Sequence, residues 1–457
     1  MSDPTHTRHF RGIARISAPI FIAQIAVLAN GVADTIITGH YKADHLAAIG
    51  LGSAIWASVF IPLMGIIQGL SPIISRHYGA EEPAEIGRQV RAGVWIGCCL
   101  AVVIATAFTF PDVILRWAQI PESVLPLSRA YLQWLALGVP ALMMARVFYA
   151  FAPAVNHPRA VMAINVTALT AKIPLSYGFV HGAWGLPELG GPGCGLASAI
   201  CYWLMVVIVI GMLRFDGSYR RFGIFEGSWR FDRYGVWRIL RLGVPIGASI
   251  LIEVTAFVFM ALFLARLGAT VSGAQQIAAN LAALCFMLPL SLGIGTQVLI
   301  GQAIGARQPD EARSVAHDGM LMALGCASVL CLIIWVARDR IVALYTNDAA
   351  VAAIALELLP IVVVFHWFDA LQCSATQALR GYQQALVPML IYAVALWGIG
   401  LGIGYVMAFA TWPGGSPVTW LVPRGAPGFW LAQTASVIVA GAALHWEFGR
   451  ISRPAVR

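Results

Sequence analysis

The stretch ILIEVTAFVFMALFLA, residues 250–265, is one continuous apolar run carrying a single carboxylate, Glu253. Its surroundings decide what solvent such a run lives in. The chain of 457 residues is 59% hydrophobic and 11% charged, with a mean hydropathy of +0.79, which exceeds what a soluble core of this length hides. A lipid bilayer is therefore the solvent. A span needs ~20 mostly apolar residues, because hydrocarbon offers no water and the backbone must satisfy itself as a helix. Twelve such runs are predicted, at 13–39, 46–72, 92–111, 125–150, 160–181, 194–213, 243–266, 275–301, 316–336, 350–379, 386–411 and 429–447. They lack the alternation over about ten residues that marks outer-membrane barrel strands, so the expected fold is an all-α polytopic membrane protein.

Basic residues accumulate on the cytoplasmic side of short loops. Arg8, Arg11, Arg15, Arg76, Arg88, Arg91, Arg159, the seven arginines of 214–241, Arg307, Arg313, Arg380, Arg450, Arg453 and Arg457 all fall on one side. Lys42, Arg116, Arg129, Arg266, Arg338, Arg340 and Arg424 fall on the other. Both termini are thus expected in the cytoplasm, with the chain a monomer in the cell (inner) membrane. The net charge of +8 fits a basic face beside anionic lipid, and no compact basic domain exists to carry nucleic acid. The polar start MSDPTHTRHFRGIARIS leads into an apolar run too long for a signal-peptide core. The eight cysteines lie mostly inside apolar runs without CxxC spacing, and are read as small buried hydrophobes.

A repeat organises the chain. Pro19 and Pro245, Gly79 and Gly305, Ala80 and Ala306, and Pro83 and Pro309 are each separated by 226 residues. That constant offset predicts two pseudo-symmetric six-helix bundles of the same membrane orientation with a central cavity between them. The expected division is an N-terminal lobe over 1–213, a cytoplasmic linker over 214–241 and a C-terminal lobe over 242–457. Alternating basic and aromatic residues in the linker suit the headgroup surface, and a plain solvated linker fits equally well.

Of the 21 acidic residues, Asp34, Glu253 and Asp369 lie well inside spans. A charge at mid-bilayer costs ~2.5–3.5 kcal/mol, so each must face protein or water. Glu253 is ten residues past the start of its span and Asp369 ten before the end of its own, which puts both ~15 Å deep. They are candidates for one shared cavity. Neutral or paired struts without a transport role are the alternative.

These residues sit in motifs. VADTIITG (32–39), PELGGPGCGLASAI (187–200), RLGVPIGASILIEVTAF (241–257), QQIAANLAALCFMLPLSLG (275–293), WFDALQ (367–372), LRGY (379–382) and GFWL (428–431) resemble the multidrug and toxic compound extrusion (MATE) family, NorM branch, end to end. The resemblance implies a twelve-helix, two-lobed secondary antiporter that expels organic cations and amphipathic drugs in exchange for inward H+ or Na+. It further implies that Asp34 is the N-lobe acidic residue and that Glu253 and Asp369 form the C-lobe pair for cation coupling.

The chain departs from that pattern twice. Two asparagines expected around an Ile-Pro-Leu are replaced in TAKIPLS by Lys172 and Ser176, and a tyrosine expected four residues before Asp369 is Phe365. Each change removes a neutral oxygen ligand, and hard cations such as Na+ are held by oxygens. H+ is therefore the expected coupling ion, with Na+ at Glu253 and Asp369 as runner-up and no other cofactor. Lys172 is read as a fixed partner or as a proton carrier. By span limits Asp34 lies ~32 Å and Lys172 ~18 Å from the cytoplasmic ends of their helices, so spacing does not bring them together without snorkelling. His366 shares a helix face with Asp369, as a proton relay or as a hydrogen-bonded packing group. Phe257, Phe259, Met260, Phe286 and Met287 suit an adaptable apolar wall, or plain core packing.

Carboxylates held out of water and near one another bind a proton more readily than exposed ones, which gives a loading and release cycle. A lipid-linked-precursor flippase shares the two-bundle plan, but its cavity needs cations for pyrophosphate, and only Lys172 favours it. HExxH, GxSxG and paired catalytic aspartate motifs are missing, so no enzyme is expected, and the glycines of GIIQG (65–69) and GIGLGIG (398–404) are read as close helix packing.

Overall fold

The computed structural model describes residues 4–117, 121–411, 418, 422 and 424–453, and these contain no β-strand. Among the described residues twelve helices are long and apolar enough to cross a membrane, one for each run read from the sequence. They are α1 (Pro4–Gly39), α2 (Ala43–Gly79), α3 (Pro83–Thr109), α4 (Leu125–Ala154), α5 (Pro158–His181), α6 (Pro192–Phe215), α7 (Arg233–Leu264), α8 (Ala269–Gly305), α9 (Pro309–Tyr345), α10 (Ala349–Gly381), α11 (Leu386–Phe409) and α12 (Gly425–Ile451). Several outrun their apolar stretch. α9 has 37 residues where hydrophobicity marks 316–336, because a helix continues into water until a capping signal stops it. Pro83, Pro158, Pro192 and Pro309 supply such signals as first helical residues, where a missing N–H costs nothing. Asp348 caps α10 by accepting from the amides of Ala350 and Val351 at 2.8 and 3.2 Å.

The offset of 226 seen in the sequence is a packing rule in three dimensions. A Cβ on Gly69 would meet the backbone N of Gly243 at 2.7 Å and the carbonyl of Ile239 at 3.0 Å. Gly295, its counterpart, would overlap Ser17 and lie 3.2 Å from the carbonyl of Ile13. Likewise Gly93 faces Leu70 as Gly319 faces Thr296. Each pair of contacts is shifted by the same offset, so both bundles use one helix-crossing geometry made possible by a missing side chain.

These crossings set the compact units. One consists of Met1–Ala18 with Ala248–Arg457, the other of Pro19–Gly247. The units therefore do not coincide with the division into 1–213, 214–241 and 242–457. The first half of α1 packs on α8, and the first half of α7 packs on α2, so each long helix begins in the unit to which most of its own lobe does not belong. Pro19 and Pro245, inside α1 and α7, lie next to the two switch points. A proline there removes one backbone hydrogen bond and bends the helix.

The linker belongs to the Pro19–Gly247 unit and is pinned to it. Tyr219 and Phe222 are buried against Phe148 and Phe151, with ring centroids 5.8 and 5.4 Å apart. Arg91 donates to the carbonyl of Gly223 at 2.9 Å, and Trp95 donates to that of Trp229 at 3.1 Å. Phe215, Phe231, Tyr234 and Trp237 remain exposed. Tyr219 and Phe222 are thus the buried anchors, and the exposed aromatic residues are free to meet a lipid surface.

In the second unit α11 is π-helical over Ala393–Ile403, across the glycine run. Gly400 and Gly404 press on Gln433 and Phe429 of α12, as close packing predicts. Gly398 meets nothing, so only part of that run serves contact.

Candidate functional site

In the Pro19–Gly247 unit the site is built on α1 and α5. Asp34 and Lys172 are both buried, and Lys172 Nζ donates to Asp34 Oδ2 at 2.7 Å. Ser176, one turn beyond Lys172, donates to Asp34 Oδ1 at 3.3 Å. The expectation that spacing holds them apart is wrong. Counted from the other end, Asp34 lies five residues before Gly39 and Lys172 nine before His181. The difference is ~6 Å of helical rise, which one lysine side chain spans. The carboxylate is consumed by a fixed cation and a hydroxyl, and the Cys194 thiol lies within their reach.

In the other unit Glu253 sits on α7, and Phe365, His366 and Asp369 on α10. Asp369 is buried and Glu253 partly so, and the two are close enough to interact electrostatically. Among the described residues neither accepts a hydrogen bond or pairs with a cation at contact distance. His366 is buried one turn before Asp369, and both of its ring nitrogens lack a partner. Phe365 stacks edge-on against Phe257 and Trp430 at 6.1 and 5.4 Å, closing the apolar side. Met260 is sealed in the core, Phe257 packs against it and Phe259 is exposed. The five-residue wall is thus partly core.

Polar groups that a search for carboxylates passes over surround this pair. Arg380, read as a loop arginine, is buried in the last turn of α10, donates to Gln377 Oε1 at 3.0 Å and acts electrostatically on Glu253. Gln372 and Thr376 both bond the hydroxyl of Tyr392 at 2.9 Å. Trp430 donates to Gln275 at 2.7 Å, while both amide atoms of Gln433 are unpartnered. An unpaired polar atom in a dry interior costs ~1–3 kcal/mol, so this seam on α8, α10 and α12 is chemically unlike ordinary core. Arg146, inside α4 of the first unit, was also passed over; its guanidinium stacks 5.7 Å from the Phe60 ring and 5.4 Å from that of Tyr149. Its only sequence signal is a lone arginine in ALMMARVFYAFAPA.

Comparison with known proteins places this geometry. The family model MatE matches residues 19–178 and 245–406, two segments whose starts repeat the offset of 226. The chain is 38% identical over 430 residues, 94% of its length and 91% of the relative's, to a probable multidrug resistance protein NorM of Aromatoleum aromaticum. Over 444 residues, 97% of this chain and 91% of the relative, it is 32% identical to the multidrug resistance protein PmpM of Pseudomonas aeruginosa. Its fold matches the eukaryotic MATE transporter AtDTX14 with a TM-score of 0.87 at 18% identity, covering 97% of this chain and 96% of that one. The repeat, the helices and the end-to-end identity agree: the chain belongs to the MatE family, the multidrug and toxic compound extrusion transporters.

Proposed function

We propose that this chain is a multidrug efflux antiporter of the cell (inner) membrane that exports organic cations and amphipathic drugs in exchange for inward H+, by alternating access, with Glu253 and Asp369 as the loading site. The relatives named for multidrug resistance support the efflux. The observation that carries the loading site is the contrast between the carboxylates: Asp34 is tied to Lys172, whereas among the described residues Glu253 and Asp369 have no cation or hydrogen-bond donor at contact distance. A carboxylate must be free of a contacting cation to alternate between proton and cationic drug. His366, one turn away with open ring nitrogens, supplies a further proton-accepting group.

Drug and ion must stabilise different states, since a ligand with equal affinity for both shifts nothing. Competition for one negative site provides that difference. Each charge carried inward gains ~2.3 kcal/mol per 100 mV, which drives export against a gradient. Na+ at the same pair is the second reading, and it lacks the oxygen of a tyrosine at Phe365. Asp34, first read as an ion-coupling residue, serves in this scheme as a structural ion pair. The flippase reading loses its support, because Lys172 is committed to Asp34 and Arg146 to two aromatic rings. The positive-inside bias supports cytoplasmic termini.

The test is uptake of a fluorescent organic cation into everted vesicles. Export driven by a pH gradient in Na+-free medium is expected. A strict Na+ requirement with no response to pH would overturn the choice of ion, and no drug movement under either gradient would overturn the function.

A further inference from the structure

We propose that His6, His9 and Asp318 form a binding site for a first-row divalent transition-metal cation, of the zinc, cobalt or nickel kind, which fastens the first turns of α1 to α9. His6 Nδ1 lies 2.7 Å from Asp318 Oδ1, and His9 Nδ1 lies 2.5 Å from Asp318 Oδ2. One ligand atom from each of the three residues falls within 4.8 Å of the others. The two histidines are three residues apart, on one helix face. Imidazole nitrogen with carboxylate oxygen is the donor set that suits these cations.

The outer contact is also of the kind metal sites use. His9 Nε2 lies 3.0 Å from Glu311 Oε1, so a carboxylate orients the ring from its far nitrogen and leaves Nδ1 turned to Asp318. Binding through both Nδ1 atoms uses each imidazole with that nitrogen unprotonated. His9 and Asp318 are buried at 3% and 1% exposure, while the His6 side chain is 53% exposed and gives the ion a way in.

Helix packing alone does not call for these groups. Through the offset of 226, His6, His9 and Asp318 correspond to Asp232, Gly235 and Ala92. There Gly235 and Ala92 meet directly, a Cβ on Gly235 sitting 3.1 Å from that of Ala92, while the Asp232 carboxylate lies 3.5 Å from the Arg88 guanidinium. The fold thus fills the positions of His9 and Asp318 in one repeat with a glycine and an alanine. In the other repeat it buries two ligand-type side chains instead, at a desolvation cost a bound cation would offset.

The experiment uses the full chain in detergent, purified without a polyhistidine tag, stripped with chelator and titrated with Co2+. About one cobalt per chain is expected, with the visible absorption bands of a low-coordinate nitrogen and oxygen site. His6→Ala and His9→Gln should each weaken binding by at least about tenfold, and Glu311→Gln, which touches only the far nitrogen, by ~10–100-fold. His6 is half exposed, so its variant tests the site even if the His9 variant elutes as aggregate. Substoichiometric cobalt without visible bands, or an affinity unmoved in His6→Ala, would overturn the proposal and leave a hydrogen-bonded cluster only.

Discussion

Lys172 Nζ reaches Asp34 Oδ2 at 2.7 Å across two helices whose partners lie 138 residues apart in the chain, and both side chains are more than nine-tenths buried. Removing one charge strands the other. Lys172→Met or Asp34→Asn alone should cost ~3–5 kcal/mol, read as a lowered Tm of the detergent-solubilised protein. The pair Asp34→Asn with Lys172→Met should recover most of that loss, since neither group is then left charged. Losses that simply add would show that the two side chains are not coupled.

Glu253→Gln keeps the shape of the side chain and removes its ability to carry a charge. Coupled efflux should vanish while membrane insertion and elution profile stay as in the parent chain. Normal drug export by this variant would end the assignment of Glu253 as a loading group.

Water and drug should compete for the neighbourhood of the free pair. In a background with the eight native cysteines replaced, Phe257→Cys, one turn from Glu253, should react with a small water-soluble thiol reagent. Cys373, one turn after Asp369, restored alone, should do the same, and bound drug should slow both reactions. Two thiols that stay inert under every imposed gradient would mean the carboxylates are sealed struts.

Close approach makes a sharper demand at Gly243 than at Gly325. A Cβ on Gly243 would overlap the carbonyl of Ile66, whereas one on Gly325 meets nothing. Gly243→Val should therefore lose ~1–3 kcal/mol or more and lower the yield of folded protein. Gly325→Ala should be neutral or raise stability by up to ~1 kcal/mol, since alanine costs less in a helix. Equal thermal stability for both variants would contradict the crossing geometry.

Sequence by itself determined the solvent, the twelve helices, the doubled six-helix plan and the three intramembrane carboxylates. Each of these is a local sum or a fixed spacing: hydropathy accumulates along one run, and the offset of 226 needs no knowledge of neighbours. Glu253 was legible because one charge in an apolar run stands out against its own flanks. Only the tertiary structure decided which carboxylates are free. Asp34 and Asp369 look alike in sequence, yet one meets Lys172 and the other, among the described residues, no cation at contact distance, because partner choice depends on where two distant helices cross and how far one side chain reaches. The same reason hid the buried positions of Arg146 and Arg380, the exchange of helix starts between the two units, and the meeting of His6 and His9 with Asp318 more than 300 residues away. Burial of a polar group is a property of what packs around it, and a linear run of residues records only what precedes and follows it.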